Sequence, residues 1–412
     1  MEGTMFKTFT FEKSYRKLFL AGIINGIGDR FSQVALLALI LQMTGSGLSV
    51  GITMALRMIP FLFFSTLSSS IARKFGRKRI MIFTDLSRAV IALSFLTVNS
   101  PAEMWIVYAA SFLLASGEAI YSPIRKSSIP AIVSSKSLKE INGWEQVLMG
   151  FVLVIGALSG GIVSYFLGAK AAFLLNIVSF LVAGWILSTL PSLDGKNENE
   201  LISKPNHEKY SELLPVIAAS SFLFMLMMFE LIIPLINGIE NVLLSVYAVE
   251  TFEKADLGVG IFYSVLGLGL IISPLLTKMI KKRFLLFSFI CIIGEGLFLT
   301  TISQTKAFWL AAVLFGMTAV FSGIGNTLLD TIAMETIPSK WHGMYFGLTS
   351  MLSNTFIGVS MFFTGIALEW LNPRLVGMFG GIMYIAAGTF FLLWSLKYSV
   401  DQEKAKLMKK AV

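Results

Sequence analysis

The chain is 412 residues long, 55% hydrophobic and only 14% charged, with 33 Lys and Arg against 24 Asp and Glu. A soluble domain carries about 25% charged residues, so this composition excludes an ordinary soluble globular protein. One cysteine, Cys291, excludes an internal disulfide framework or a thiolate cluster, and His207 and His342 are too far apart in sequence to suggest a zinc site.

A helix needs about 20 apolar residues to cross the roughly 30 Å of bilayer hydrocarbon. The sequence predicts an all-α membrane protein with twelve such spans, over 17–43, 48–71, 80–99, 103–123, 141–167, 170–190, 221–249, 256–280, 284–303, 307–332, 343–369 and 374–396. The 35 Gly and 11 Pro fall mostly inside these apolar runs, where membrane helices tolerate them. With the N-terminus placed inside, 26 of the 33 Lys and Arg fall on the inner side and only Lys170, Lys254, Lys306 and Arg374 on the outer. Both termini are therefore expected in the cytoplasm, with the first 16 residues as a cytoplasmic lead-in and not a cleaved signal. The +9 net charge then reads as a topology signal that also attracts anionic lipid, not as a nucleic-acid surface.

In chain order, span 1 carries Asn25, Asp29 and Gln33 at i, i+4 and i+8, a single helical face, beside Gly22 and Gly26. Arg30 points about 100° away from Asp29 and is not its natural partner. Arg57 in span 2 is a candidate partner for Asp29 or Glu240, or else snorkels outward. Asp85 and Arg88 in span 3 stand at i, i+3 and read as a structural pair. Span 4 offers Ser111, Glu118 and Ser122, span 7 offers Glu230, Asn237, Glu240 and Asn241 around Pro234, and span 10 offers Ser322, Asn326 and Asp330. Glu295 in span 9 has no evident role. Spans 6 and 12 hold no charged residue in their apolar stretches, which suits a lipid-facing position.

A polar segment between spans 6 and 7 divides the chain into an N-terminal six-helix bundle over 1–191, a cytoplasmic linker over 192–212 and a C-terminal bundle over 213–412. Each half has a basic cluster after its second span, Arg73–Arg79 and Lys281–Arg283, a weak internal repeat of the kind found in secondary transporters. A charge at the bilayer centre costs about 2.5–3.5 kcal/mol, so polar stripes on spans 1, 4, 7 and 10 imply a wet pathway between the halves. Asp29 is the first candidate for proton exchange, with Glu118, Glu230 and Glu240 beside it as candidates for protons or a cationic substrate. No phosphate-binding loop, H-E-x-x-H or G-x-S-x-G motif is present, so neither nucleotide-driven transport nor enzymatic chemistry is expected, and no cofactor or metal.

The loop Ala72–Arg79 resembles the G-x-x-x-D-R-x-G-R-[RK] signature of the major facilitator superfamily, matching at Lys74, Gly76, Arg77 and Lys78 and departing at Ser69 and Arg73. The resemblance implies the major facilitator fold, two pseudo-symmetric six-helix bundles, with Arg73, Lys74, Gly76, Arg77 and Lys78 at a cytoplasmic gate. In span 5, Gly156-Ala-Leu-Ser-Gly160-Gly161 is similar to the antiporter G-P-x-x-G-G motif with alanine for proline. The arginine that many drug/proton antiporters carry in span 4 has no counterpart near Leu114–Gly117. Further runs, among them Gly28-Asp29, Thr84–Ala89, Tyr121-Ser-Pro123 and His342–Phe346, resemble the bacterial macrolide-efflux and siderophore-exporter-like branch. That resemblance implies proton-driven export of an amphipathic compound from the bacterial cytoplasm, by a monomer whose partners are a small amphipathic substrate, protons and membrane lipids. Metabolite or siderophore transport and lysophospholipid flipping are the alternatives.

Overall fold

The computed structural model describes residues 13–44, 47–191, 193 and 210–411, and among these it contains helices and no strand. Each predicted span falls on helix: Lys13–Thr44, Gly47–Phe75, Arg77–Leu93, Met104–Ile132, Leu138–Phe151 with Ala157–Leu167, Ala169–Ser188, Ser221–Val246, Ala255–Thr277, Phe284–Gln304, Phe308–Thr336, His342–Leu368 and Pro373–Ser395, numbered spans 1 to 12 below. Nine of them, spans 3, 4 and 6 to 12, are long and apolar enough among the described residues to cross a membrane. Helix is the expected answer because hydrocarbon offers no partner for an open backbone N–H or C=O.

Three elements differ from their predicted form. Span 4 runs on to Ile132 through Pro123 and Pro130, since Arg125 and Lys126 end the apolar stretch without ending the helix. Span 5 is interrupted by a π turn at Val152–Gly156, and span 7 closes with another at Tyr247–Thr251. The predicted linker lies largely outside the described residues. Its last part begins a short helix, Tyr210–Ala219, which breaks at Ser220, whose Oγ accepts from the Leu223 N–H and caps span 7.

The chain packs as two compact units, one within Met1–Ser134, Ile155–Glu208 and Gly343–Thr355, the other within Ser135–Val154, Lys209–His342 and Phe356–Val412. Packing thus divides the chain differently from chain order: span 5 passes from the second unit to the first at its π turn, and span 11 passes back after Thr355. The core of unit one joins Leu36 and Ile40 of span 1, Ala89 of span 3, Phe95 of the 3-10 turn that follows it, Val107 and Leu114 of span 4, and Phe173 and Phe180 of span 6. In unit two, Phe262 of span 8 stacks on Phe308 of span 10 and packs tilted against Phe315, with ring centroids 5.1 and 4.8 Å apart, in one cluster with Leu243 and Tyr247 of span 7.

Spans 6 and 12 are not wholly lipid-facing. They do expose large apolar side chains, Val178 and Trp185 on one and Phe379 and Phe390 on the other, as a bilayer requires. Their opposite faces are buried, however, and bring Asn176, Phe180 and Tyr384 inward with no exposure at all. A helix without charged residues can still present polar or aromatic groups to charges on its neighbours, which composition alone does not show.

Candidate functional site

In unit one, four polar residues from three helices meet around one guanidinium. Arg88 of span 3 is 1% exposed, and its Nη2 lies 2.5 Å from Asp29 Oδ2 of span 1 while its Nη1 lies 2.9 Å from Glu118 Oε2 of span 4. Nη1 also donates to Asn25 Oδ1 at 3.3 Å, and Asn25 in turn donates to Asp85 Oδ1 at 2.7 Å. The i, i+3 contact to Asp85, expected from sequence to be the main one, is the longest of the set at 3.9 Å. Phe180 of span 6 closes the far side, its ring centroid 4.3 Å from the guanidinium carbon.

Glycines create the room for this arrangement. A Cβ at Gly117 would lie 2.8 Å from Arg88 Cγ and 2.9 Å from Cδ, so the arginine stem crosses span 4 where only glycine leaves space. Gly117 closes the Leu114–Gly117 stretch, which carries no arginine of its own; the guanidinium of Arg88 reaches that place from span 3 instead. Gly28 plays the same part for span 6, since a Cβ there would overlap Ser179 and come within 2.9 Å of Asn176 Oδ1. Gly117→Val is accordingly expected to lower stability by about 1–3 kcal/mol through overpacking, seen as a lower melting temperature of the purified protein.

The remaining candidates of unit one lie around the cluster. Arg30 turns away from Asp29 and donates from Nη1 to Gln33 Oε1 at 2.9 Å, so Gln33 pairs along its own helix. Span 5 packs on this side: a Cβ at Gly156 would lie 2.8 Å from Arg30 Cβ, and one at Gly160 3.0 Å from Phe31 Cα. The side-chain surroundings of Ala157, Leu158 and Gly161 lie outside the described residues, while the Ser159 hydroxyl bonds back to the Ile155 carbonyl of its own helix. Arg57 is not the ion-pair partner of Asp29, a position held by Arg88; it interacts at longer range with Asp29, Glu118, Arg30 and Arg88.

The basic loop after span 2 is tied to two other helices. Arg77 Nη1 donates to the Ser127 carbonyl at 3.0 Å and Lys78 Nζ to the Leu190 carbonyl at 2.5 Å, while Lys17 Nζ reaches the Thr189 carbonyl at 2.9 Å. Cations at the carbonyl end of span 6 are favoured by its open C=O groups and dipole. Lys74 lies 5.2 Å over Phe75, and Arg73 Nη2 approaches Ser70 Oγ at 3.4 Å. Gly76 turns the chain between spans 2 and 3 at φ 85°; Gly76→Ala is expected to cost about 1 kcal/mol, measurable as a small fall in melting temperature. Ser69, where the family signature has glycine, is buried against Gly343 of span 11, whose Cβ would come within 3.2 Å of Ser69 Cβ.

Unit two holds a second polar cluster with a different charge balance. Glu240 of span 7 accepts from Thr318 Oγ1 of span 10 at 3.3 Å and from the Tyr384 hydroxyl of span 12 at 3.0 Å, and that hydroxyl also contacts Asn237 Oδ1. Glu295 of span 9, 4% exposed, accepts from Ser322 and interacts electrostatically with Glu240. No Lys or Arg pairs with either carboxylate among the described residues. The other span 7 and 10 candidates are less involved. Asn241 is exposed and bonds its own helix at Asn237 O, 2.9 Å away, while Asn326 is exposed with Nδ2 3.5 Å from Ser322 Oγ. Glu230 stands ten residues, about 15 Å, from Glu240, and Asp330 twelve residues, about 18 Å, from Thr318.

Arg88, Asp85, Tyr384, Thr318 and Glu295 thus belong with the predicted residues. Signals for three of them were present in the sequence, in Asp85-x-x-Arg88 and in an acid, Glu295, deep in an apolar span. Tyr384 and Thr318 carry no such signal, being ordinary residues of membrane helices.

Comparison with known proteins agrees with this architecture. The family model described as Major Facilitator Superfamily matches residues 18–361. The chain is 20% identical over 397 residues to macrolide efflux protein A of Streptococcus pyogenes, covering 93% of this chain and 95% of that protein. It is 25% identical over 201 residues to the multidrug efflux pump Tap of Mycobacterium tuberculosis, covering 46% of each. Among solved structures, the human organic anion transporter MFSD10 superposes with a TM-score of 0.73 at 11% identity, over 92% of this chain and 99% of that one.

Proposed function

The chain belongs to the major facilitator superfamily and is an integral membrane protein of the transporter fold; from that premise we propose that it exports amphipathic, cationic small molecules in exchange for protons, by alternating access. The observation that carries this reading is the charge balance of the unit one cluster. Three carboxylates surround Arg88, and two of them, Asp29 and Glu118, remain 21% and 35% exposed while they hold it. Among the groups in direct contact, three carboxylates face one guanidinium, an excess of anions that a proton or a cationic substrate balances together with the more distant Arg57, Arg30 and Arg125. The names of the two efflux relatives support export of a drug-like compound. Asp29 and Glu118 then hold the substrate's positive charge, and the tethered loop with Gly76, Arg77 and Lys78 controls the cytoplasmic side. The setting is the bacterial cytoplasmic membrane, with both termini inside and the protein acting as a monomer.

A second reading, transport of a carboxylated metabolite or siderophore, is favoured by Arg57, which forms no salt bridge among the described residues. Proteoliposomes under an imposed pH gradient separate the two. The panel is a macrolide, a lipophilic cationic dye, a catecholate siderophore and a fluorescent lysophospholipid. Gradient-driven movement of the macrolide or dye, lost in Asp29→Asn, is the expected result. Movement of the siderophore or the lipid alone overturns the export of cations and leaves the fold untouched.

A further inference from the structure

Within the unit one cluster, Asp85 is the carboxylate that Arg88 serves least. The two well-placed ends of the guanidinium are directed at Asp29 and Glu118, and Asp85 is left at 3.9 Å with a single hydrogen bond, from Asn25 to Oδ1. Its Oδ2 is buried with no hydrogen-bond partner, and the residue is 0% exposed. An ionised carboxylate in that setting would have a bare oxygen facing apolar surroundings, whereas a carboxylic acid places its proton on that oxygen.

The groups facing Asp85 come from two neighbouring helices and its own. Span 1 supplies Asn25 and Asp29, span 4 supplies Glu118 and Tyr121, both also under the influence of Arg125, and Arg88 lies on its own helix. Span 6 contributes no charge: a Cβ at Gly184 would come within 3.7 Å of Asp85 Cβ, and Phe180 covers Arg88. Arg57 of span 2 interacts with Asp29 and Glu118. Among the described residues, the cation close to Asp85 is Arg88, which is shared with two more exposed competitors.

Resting on the reading above, we propose that Asp85 is the proton carrier of this transporter, protonated while Asp29 and Glu118 hold Arg88 and deprotonated when a cation takes those two carboxylates and Arg88 turns to Asp85. The stem of Arg88 is confined by Gly117, so only the guanidinium end moves. A shift of about 1 Å brings Nη1 from 3.9 Å to hydrogen-bond distance of Asp85 Oδ1. Arg88 Nε has no partner in the present arrangement and becomes available for the new one. The proton leaves Asp85 Oδ2 for water, and the Tyr121 hydroxyl, which is buried, unpartnered and in electrostatic contact with both Asp85 and Glu118, lies on the way. Charge is conserved: one cation enters the cluster as one proton leaves. Binding and proton release are thereby linked through Arg88, with no direct contact between substrate and Asp85.

The test uses the full chain, purified in detergent in weak buffer with a pH-indicating dye, and tetraphenylphosphonium as the probe cation. The wild type is expected to release about one proton per cation bound, so that affinity rises with pH. Asp85→Asn is expected to bind the cation with no release and with affinity indifferent to pH, while Asp29→Asn and Glu118→Gln weaken binding itself. Proton release that persists in Asp85→Asn overturns the assignment. A second measurement does not depend on that variant folding: infrared difference spectra of the wild type should show a carboxylic acid C=O band lost on cation addition, shifted in Asp85→Glu. A band unchanged by the cation overturns the exchange. If the wild type binds no lipophilic cation at all, the proposed export of cations fails and this inference falls with it. Binding with release that is independent of Asp85 defeats this inference alone.

Discussion

Arg88→Gln is expected to abolish gradient-driven export and to lower the yield of folded protein, because it leaves Asp29, Asp85 and Glu118 together with their shared cation gone. Breaking a buried ion pair from one side costs about 3–5 kcal/mol, since the remaining charge is desolvated and unmatched. Here two ionised carboxylates, Asp29 and Glu118, lose their partner beside the protonated Asp85, which is 0% exposed. Arg88→Lys should recover part of the stability and little of the function: an ammonium is a point charge and cannot fork between Asp29 Oδ2 and Glu118 Oε2 as two guanidinium nitrogens do. Thermal unfolding of detergent-purified protein and uptake into proteoliposomes read the two effects separately. A melting temperature for Arg88→Gln equal to wild type would show that the three acids are already neutral or hydrated in the resting protein, and the charge count used above would be wrong.

The twelve spans were legible because burial in hydrocarbon imposes a length and an apolar composition on every crossing helix, and the asymmetry of Lys and Arg checks the count independently. The polar stripes were legible for the same reason: Asn25, Asp29, Glu118 and Glu240 stand out in apolar runs. What the stripes could not give was the partner of each residue. Arg88 is three residues from Asp85, and sequence spacing favours that local pair, yet the geometry sends the guanidinium across to spans 1 and 4. The deciding residue is Gly117, whose missing side chain opens the route, and a glycine in a membrane helix has too many other uses to announce this one. Tyr384 was missed for a related reason. Beyond Arg374 at its start span 12 contains no charged residue, so its buried face gave no charge to read, although a phenol there is one of the two donors to Glu240. Periodicity assigns residues to a face of their own helix; pairings between helices depend on small residues that hold helices close and leave no periodic trace.

Tyr384→Phe should therefore be the most damaging single change in unit two, by a mechanism opposite to that of Arg88→Gln. It removes no charge; it deprives Glu240 Oε2 and Asn237 Oδ1 of their shared hydroxyl, in a side chain with no solvent exposure to supply a replacement. Leaving a buried acceptor unsatisfied costs about 1–3 kcal/mol, more for a charged one, so a clear fall in melting temperature is expected. Adding Glu240→Leu should recover part of that loss, because the unsatisfied oxygen goes with its missing donor. Glu295→Gln should do no harm and can raise stability: Glu295 is buried beside a like charge with no cation among the described residues, and an amide still accepts from Ser322. The sign of the Glu295 result separates the two clusters. Unit one spends its acids on holding an arginine, whereas unit two has acids with hydroxyl partners only, so neutralising one there removes a repulsion and breaks no ion pair. A marked destabilisation by Glu295→Gln would mean that the carboxylate is matched by a bound cation in the folded protein, and the charge balance of unit two would have to be redrawn with that ion included.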